Sequence, residues 1–361
     1  MRGNQFLKIW NKTISFNIEI KNKLTIIEGD SAKGKTKLIN MISTYLEDGK
    51  SSGLHVCASA DFEVWTNKDW RKGTSSGDIY NLKNTLIFID ENKKFVLSEE
   101  FASYVNSSTN YFILVSRKPL KELSYSYKDI YTMDTIKGEH KLLPVYDQDD
   151  IFDFSISSIK SVITEDQKSG FIFFSELGTL KCEPTYGKSN LENKIRNFNV
   201  EDSCLIIADG ATIGCHIEKL YELVKKMNFM LFLPLSFEWL LLNSNIFYNL
   251  DPTEILNNLN GIYDSSEIVS LETAATKLLC DICTHNISDY DLNPQDIMYP
   301  KINYSKSKVH PFFISKKEMI LKSLPLKVRK VFLKECDKTF ESHVVEQINL
   351  NETSLFLGEK N

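Results

Sequence analysis

The sequence lacks any long apolar run. No stretch approaches the about 20 consecutive apolar residues that a membrane-spanning helix needs, and we find no secretory signal peptide. The seven cysteines are scattered along the chain and do not form a disulfide framework. We therefore expect a cytoplasmic protein without membrane segments, whose cysteines are free thiols in a reducing compartment.

The sequence also lacks an excess of positive charge. It has 43 Lys and Arg residues against 48 Asp and Glu residues, a formal net charge of -5. A chain of this charge is not expected to bind nucleic acid over its whole surface. The hydrophobic fraction of 42% is that of an ordinary globular protein, and a length of 361 residues predicts two domains, with or without an appendage.

One stretch, residues 24–42 (LTIIEGDSAKGKTKLINMI), predicts a hydrophobic strand, a tight turn and an amphipathic helix. The turn fills every position of the phosphate-loop pattern G-x-x-x-x-G-K-[ST], with Gly29, Asp30, Ser31, Ala32, Lys33, Gly34, Lys35 and Thr36. In such a loop the glycines let backbone N–H groups turn toward phosphate oxygens at a helix N-terminus. Lys35 then reaches the β- and γ-phosphates, and the Thr36 hydroxyl holds Mg²⁺. We predict a site for ATP and Mg²⁺.

A second motif, TLIFIDE at residues 85–91, is typical of a central parallel strand that ends in two acids. It resembles the Walker B motif of the ABC-like branch of P-loop ATPases. The resemblance implies that Asp90 holds Mg²⁺ through water and that Glu91 polarises the attacking water as a catalytic residue, together with Lys35. The strand YFILV at residues 111–115 ends in Ser116 and Arg117, either of which is placed to sense the nucleotide; a solvated basic turn is the alternative.

The signature helix of ABC ATPases is missing. Ser75-Ser76-Gly77 imitates part of the signature sequence, but the chain leaves no room there for the helical subdomain that a signature needs. The first domain, residues 1–150, is therefore expected to be a short P-loop ATPase built on a parallel sheet.

The second half alternates strands and helices again, with Glu165 after its first strand and Asp209 after its third. This order resembles the Toprim fold, in which carboxylates at one sheet edge bind Mg²⁺. The resemblance implies that Glu165 and Asp209 are metal ligands. The second Asp that the Toprim pattern expects is replaced by Ala211, so Asp166 or Glu238 would have to compensate. An inactive Toprim domain, or a receiver-like or flavodoxin-like domain, remains an alternative.

A phosphate-loop ATPase followed by a Toprim-like domain resembles the overcoming-lysogenisation-defect nucleases. The predicted layout is an α/β chain with an ATPase domain (1–150), a Toprim-like domain (151–245) and a mostly helical, basic region (246–361). The resemblance implies defence against phage and action on nucleic acid.

The last region contains a basic segment. From Lys301 to Lys338 it has eleven Lys and Arg residues and three acids, a local charge of +8. This charge suggests a nucleic-acid surface, with Tyr304 and Phe312 available to stack bases, although a solvated helix face is the simpler interpretation. Upstream, a helix from 267 to 286 contains Cys280, Cys283 and His285, which we interpret as core residues because no fourth zinc ligand lies nearby.

We expect an ATPase that couples its nucleotide state to an effector or docking domain. The alternative is a scaffold that binds ATP without hydrolysing it and assembles with a partner protein or with copies of itself.

Overall fold

The fold is α/β and contains two β-sheets, as the sequence predicts. The computed structural model describes residues 4–29, 33–146, 150–154, 159–198, 203–247, 270–287, 301–306 and 308–333. Within these ranges, none of the helices combines the length and the apolar character needed to cross a membrane. The six cysteines of this part are free thiols.

The first sheet is mixed and has nine strands. They are β1 (Gln5–Trp10), β2 (Ser15–Ile20), β3 (Leu24–Glu28), β4 (His55–Ala58), β5 (Phe62–Trp65), β6 (Leu86–Ile89), β7 (Tyr111–Val115), β8 (Ile130–Ile136) and β9 (Glu139–Pro144). Their order is β4-β1-β2-β9-β8-β3-β7-β6-β5. The expected parallel sheet is the part from β8 through β3, β7 and β6 to β5. Beyond β8 the sheet is mixed, because β2 with β9 is parallel whereas β8 with β9, β1 with β2 and β1 with β4 are antiparallel.

The three helices of this part are α1 (Lys35–Asp48), α2 (Asn67–Ser76) and α3 (Glu99–Ser107). Strands β3, β6 and β7 are almost entirely buried because both of their faces are covered. Ile27 and Ile113 pack on the α1 face, whereas their sequence neighbours Ile26 and Phe112 pack on the opposite face. This alternation follows from the two-residue period of a strand.

The second sheet has five strands, β10 (Ile151–Asp153), β11 (Ser161–Thr164), β12 (Lys181–Pro184), β13 (Cys204–Ile207) and β14 (Met230–Phe232). Their order is β10-β14-β13-β11-β12, and all pairs are parallel except β10 with β14. The associated helices are α4 (Ser169–Ser175), α5 (Lys188–Arg196), α6 (Ile217–Met227) and α7 (Phe237–Leu242). The predicted succession of strands, acids and helices is confirmed here.

The part after residue 270 is helical where the structure describes it. It contains α8 (Leu271–Thr284), α9 (Pro311–Ser315), α10 (Lys317–Ser323) and α11 (Leu326–Phe332). Leu278, Phe313 and Val328 are fully buried and share a hydrophobic cluster with Leu205 of β13. Cys283 lies in the same cluster, which confirms its interpretation as a core residue. These helices therefore form the outer layer of the second sheet.

A packed interface joins the two sheets. One hydrophobic cluster contains Ile26 of β3 together with Ile163 of β11. The Ser126 hydroxyl donates to the Gly210 carbonyl at 2.8 Å. A Cβ at Gly210 would lie 2.9 Å from the Tyr127 ring, so only glycine fits this approach. The loop after β13, which also contains Asp209, is therefore held directly by the first domain.

Two local features are not evident from the sequence. Residues 61–77 show no hydrophobic period, yet they contain β5 and α2. Helix α2 has a Thr66–Asp69 capping box, but it buries only Trp70 and Gly73, too few residues for a recognisable helical period. Helix α5 begins after Gly187, and no side chain caps it. Helix α8 begins at Leu271 after the Ser270 cap, and the earlier start expected at 267 lies outside the described residues.

Candidate functional site

The first candidate site lies where β3, β7 and β6 end. The three strands are adjacent and parallel, so their carboxyl ends share one edge of the sheet. The Ser116 N–H donates to the Ile27 carbonyl at 3.2 Å, which places the end of β7 beside the start of the glycine turn. Asp90 directly follows β6, the strand that lies on the other side of β7 from β3. The residues predicted from three separate motifs therefore meet at one edge.

The two glycines of the turn have positive φ angles. Gly29 has φ 112° and Gly34 has φ 90°, both in the range that side chains make costly. Gly34 is the N-cap of α1, and its carbonyl accepts from Leu38 N–H at 2.9 Å. The predicted phosphate-binding residues Asp30, Ser31 and Ala32 lie outside the described residues.

Two side chains of the turn have defined positions. Lys35 is only 5% exposed, and its Nζ donates to the Gly29 carbonyl at 2.5 Å. The ammonium of the last lysine of the motif thus contacts the carbonyl of its first glycine. Thr36 is exposed on the first turn of α1, and no side chain caps that helix end. Lys33, which also lies in the turn, donates from its Nζ to the Thr132 hydroxyl at 3.3 Å.

The predicted catalytic acid is paired with an arginine. Arg117 contacts Glu91 through Nε at 2.8 Å and through Nη2 at 3.2 Å, one nitrogen to each carboxylate oxygen. Asp90 accepts from the Glu91 backbone N–H at 2.9 Å. The Ser116 hydroxyl donates to the Lys118 carbonyl at 2.7 Å, so it is engaged within its own loop. Of the two candidate sensors, Arg117 is the one in contact with Glu91.

The second candidate site is a cavity of about 300 Å³ at the carboxyl edge of the second sheet. Glu165 and Asp209 meet there, as predicted for the ends of neighbouring parallel strands, because Asp209 N–H donates to Glu165 Oε2 at 3.0 Å. Asp166, Glu238 and Glu272 also line the cavity. Within the described part of the helical region, Lys306 is the one basic residue in this lining.

The pKa values of two acids in this cavity are raised. Burial raises the pKa of the Glu165 carboxyl, and nearby Lys188 opposes the rise. Burial and the adjacent Glu165 raise the pKa of Asp209 well above its usual range. Within the described part of the chain, the Asp209 carboxylate receives no hydrogen bond. A cation or a proton would relieve the crowding of charge.

The proposed replacements for the missing second Asp differ in their surroundings. Ala211 is buried and contributes no ligand. Asp166 accepts backbone N–H groups of Lys168, Gly170 and Phe171 at 2.9–3.2 Å, so it caps α4. Glu238 lies in the cavity wall, where its Oε1 accepts from the Tyr304 hydroxyl at 2.5 Å. Glu238 is therefore the better placed of the two.

The helical region also contributes side chains to this cavity, which the sequence did not predict. Glu272, in the first turn of α8, accepts from Lys306 Nζ at 2.5 Å. Burial lowers the pKa of Lys306, but Glu238 and Glu272 outweigh burial, so the pKa is raised. Neither residue follows a strand or belongs to a motif; Glu272 resembles an ordinary first-turn acid after the Ser270 cap. Only the packing of α8 against the sheet places them here.

The same packing corrects two expectations about the basic segment. Tyr304 is 7% exposed and bonded to Glu238, so it presents no ring for stacking bases. Lys306 lines the cavity and is paired there with Glu272. Lys301, Lys308 and Lys330 are exposed. The last two lysines of the predicted segment, Lys334 and Lys338, lie outside the described residues.

Mg²⁺ is the metal that these acids suit. Among the described residues, no three His, Cys, Asp or Glu side chains form a ready-made metal site. Mg²⁺ is commonly held by one or two carboxylates and several waters, and Glu165 with Asp209 fits that smaller donor set. Both remain predicted ligands, as do Thr36 and Asp90 at the first site.

Comparison of the chain with protein-family models, with curated proteins and with solved structures finds no match. The functional argument therefore depends on the geometry of the two sites.

Proposed function

We propose that the first domain binds ATP with Mg²⁺ and hydrolyses it, and that the second domain is an effector acting on nucleic acid. The observation that supports the ATPase most directly is the shared edge of β3, β7 and β6. Three motifs separated in sequence supply a glycine turn with a buried lysine, two acids and an arginine within one small region.

Each group has a role that follows from its position. Lys35 exchanges the Gly29 carbonyl for phosphate oxygens, and the N-terminus of α1 faces the same charge. Thr36 and Asp90 hold Mg²⁺. Glu91 orients the attacking water and accepts its proton. Arg117 is displaced from Glu91 toward the γ-phosphate, which frees the carboxylate when nucleotide is bound.

The test is a comparison of wild type with Glu91→Gln. Wild type should release phosphate from Mg²⁺-ATP, whereas the variant should retain nucleotide binding and hydrolyse at least about 100-fold more slowly, because only proton transfer is lost. Thr44→Ala, on the exposed side of α1, is the control and should behave as wild type. Hydrolysis at the wild-type rate in Glu91→Gln would show that another group activates the water.

The scaffold interpretation has one observation in its favour. Glu91 is bound by Arg117, so a resting chain holds its predicted base in an ion pair. If purified protein binds ATP but releases no phosphate, even with nucleic acid and candidate partners added, the nucleotide acts as a gate for assembly. Arg117→Ala should then leave hydrolysis absent, whereas in an ATPase it should alter the rate.

The carboxylate cavity supports the proposed effector role. Glu165 and Asp209 would hold Mg²⁺ there, and the ion would supply Lewis-acid chemistry at a phosphodiester. The interface at Gly210 provides a physical route from the ATPase to the Asp209 loop. The order of the two domains, which resembles that of phage-defence nucleases, supports the same biological setting. If the cavity binds no divalent ion, the second domain is a docking module.

A further inference from the structure

A solvent-exposed tyrosine lies at the rim of the carboxylate cavity. Tyr186 lines the cavity and is 66% exposed, the largest exposed fraction among the described large hydrophobic and aromatic side chains. It lies in the turn between β12 and α5. Within the described residues its side chain makes no hydrogen bond and no ring contact. Folding of this turn therefore gains little from the ring.

The backbone of Tyr186 is strained. Its φ of 60° lies in the left-handed region, which glycine and asparagine adopt readily and aromatic residues seldom do. Hydrogen bonds on both sides hold it there: the Thr185 hydroxyl donates to the Glu165 carbonyl at 3.1 Å, and Gly187 N–H donates to the same oxygen at 2.9 Å. The backbone at Tyr186 is thus held next to that of Glu165.

A residue that is strained and contributes little to folding is a candidate for function. The turn would be more stable with glycine or asparagine at this position. Tyrosine instead places a flat ring at the rim of a cavity whose wall contains Glu165 and Asp209. Lys168 is exposed on the same cavity lining and contributes positive charge.

We propose that Tyr186 stacks on an unpaired nucleobase while the adjoining backbone phosphate enters the cavity. This inference depends on the proposed action of the second domain on nucleic acid, and it specifies the substrate class as single strands or frayed ends. A base within a duplex is covered by its neighbours on both faces and cannot stack on an external ring. The ring accepts any base, so little sequence preference is expected.

The experiment measures binding of a fluorescent single-stranded DNA of about 20 nucleotides to the full chain. Ca²⁺ replaces Mg²⁺ so that the strand stays intact. Tyr186→Phe keeps the ring and should bind as wild type. Tyr186→Asn removes the ring, suits the left-handed backbone, and should weaken binding by about 5- to 100-fold, the range for loss of one stacked base.

Two controls separate stacking from other effects. An abasic strand of the same length has the same charge and no bases, so wild type and Tyr186→Asn should bind it equally. Tyr80→Asn removes an exposed tyrosine of the first domain, which is 56% exposed, and should leave binding unchanged. Tyr186→Asn should melt at the same temperature as wild type or higher, because the strain is relieved.

The outcomes are distinct. Wild-type binding with no loss in Tyr186→Asn, or an equal loss on the abasic strand, would overturn the stacking role and leave the nucleic-acid function standing. No binding of any strand by wild type would overturn the nucleic-acid function and the stacking role together. A lower melting temperature in Tyr186→Asn would identify the ring as structural.

Discussion

The two candidate sites are both sheet edges, yet they are built differently. At the first, the functional groups come from three short motifs, and backbone conformation provides much of the chemistry. At the second, side chains converge from β11, β13, α7, α8 and the segment containing Lys306. Motifs that shape the backbone are recognisable in a sequence, whereas a cavity lined by remote side chains is only partly recognisable.

The sites also differ in charge balance. In the first, opposite charges are paired, as in Glu91 with Arg117. In the second, the carboxyls of Glu165 and Asp209 are close enough to repel, and burial together with that repulsion raises the pKa of Asp209. A divalent ion should therefore stabilise the second site without any nucleotide, whereas the first should need nucleotide to recruit the ion.

The largest expected effect tests the first site alone. Lys35→Ala should lower ATP hydrolysis by at least about 100-fold, because it removes the charge that stabilises the transferred phosphoryl group. Metal binding by the second domain should be unchanged. Lys37→Ala changes an exposed lysine of the same helix and is the matched control. Normal hydrolysis in Lys35→Ala would exclude this turn as the active site.

Asp209→Asn tests the second site alone. Without metal at pH 8, the melting temperature should rise by about 2–4 °C, which corresponds to about 1 kcal/mol of relieved repulsion. The gain should shrink as pH falls, because protonation of Asp209 relieves the same repulsion in wild type. Nucleotide-free wild type should melt higher when Mn²⁺ is added, and the variant should not.

The matched control for Asp209→Asn is Asp61→Asn, which changes an exposed acid just before β5. ATP hydrolysis should be unchanged in both variants. An equal shift with Mn²⁺ in wild type and Asp209→Asn would place the ion elsewhere.

Ser126→Ala tests whether the two sites communicate. It removes a buried hydrogen bond to Gly210, and we expect a loss of about 0.5–1.5 kcal/mol in unfolding free energy. ATP should then change Mn²⁺ affinity less than it does in wild type, while hydrolysis itself continues. Calorimetric titration with Mn²⁺, with and without a non-hydrolysable nucleotide, measures the coupling. Undiminished coupling would show that this contact only supports the fold.

The last prediction concerns the pH dependence of stability at Glu28, which ends β3 beside the glycine turn. Burial, followed by repulsion from Glu218, raises its pKa from 4.5 to about 7. The folded chain therefore keeps this proton up to about pH 7 while the unfolded chain loses it near pH 4.5, so stability falls as pH rises between those values.

Glu28→Gln should remove this loss of stability with rising pH. The variant should match wild type at pH 4 and exceed it above pH 7 by about 1–2 kcal/mol, less than the full linkage value because the carboxyl is part exposed. Urea unfolding at the two pH values measures the difference. Glu47→Gln, an exposed acid on α1, should show no such change. If the variant and wild type differed by the same unfolding free energy at both pH values, the ionisation of Glu28 would not explain the difference.

Much of the framework was predictable. The strands β3, β6 and β7 are short apolar runs, and α3 begins after Ser98, a residue type that favours helix N-termini, whose hydroxyl accepts from Phe101 N–H at 3.2 Å. Residues 61–77 were not predictable, because α2 buries too few residues to show a period. Glu165 and Asp209 were predicted to meet, since parallel strands end at one edge.

The sequence by itself determined the α/β class, the glycine turn and the acids that follow individual strands, because those depend on local period and on backbone conformation. The tertiary structure alone decided that Tyr304 is buried against Glu238, that Lys306 faces Glu272, and that Ser126 holds the Asp209 loop. These contacts join segments from 34 to 84 residues apart. They form because apolar layers pack together, and local sequence contains no record of which polar side chains that packing brings into contact.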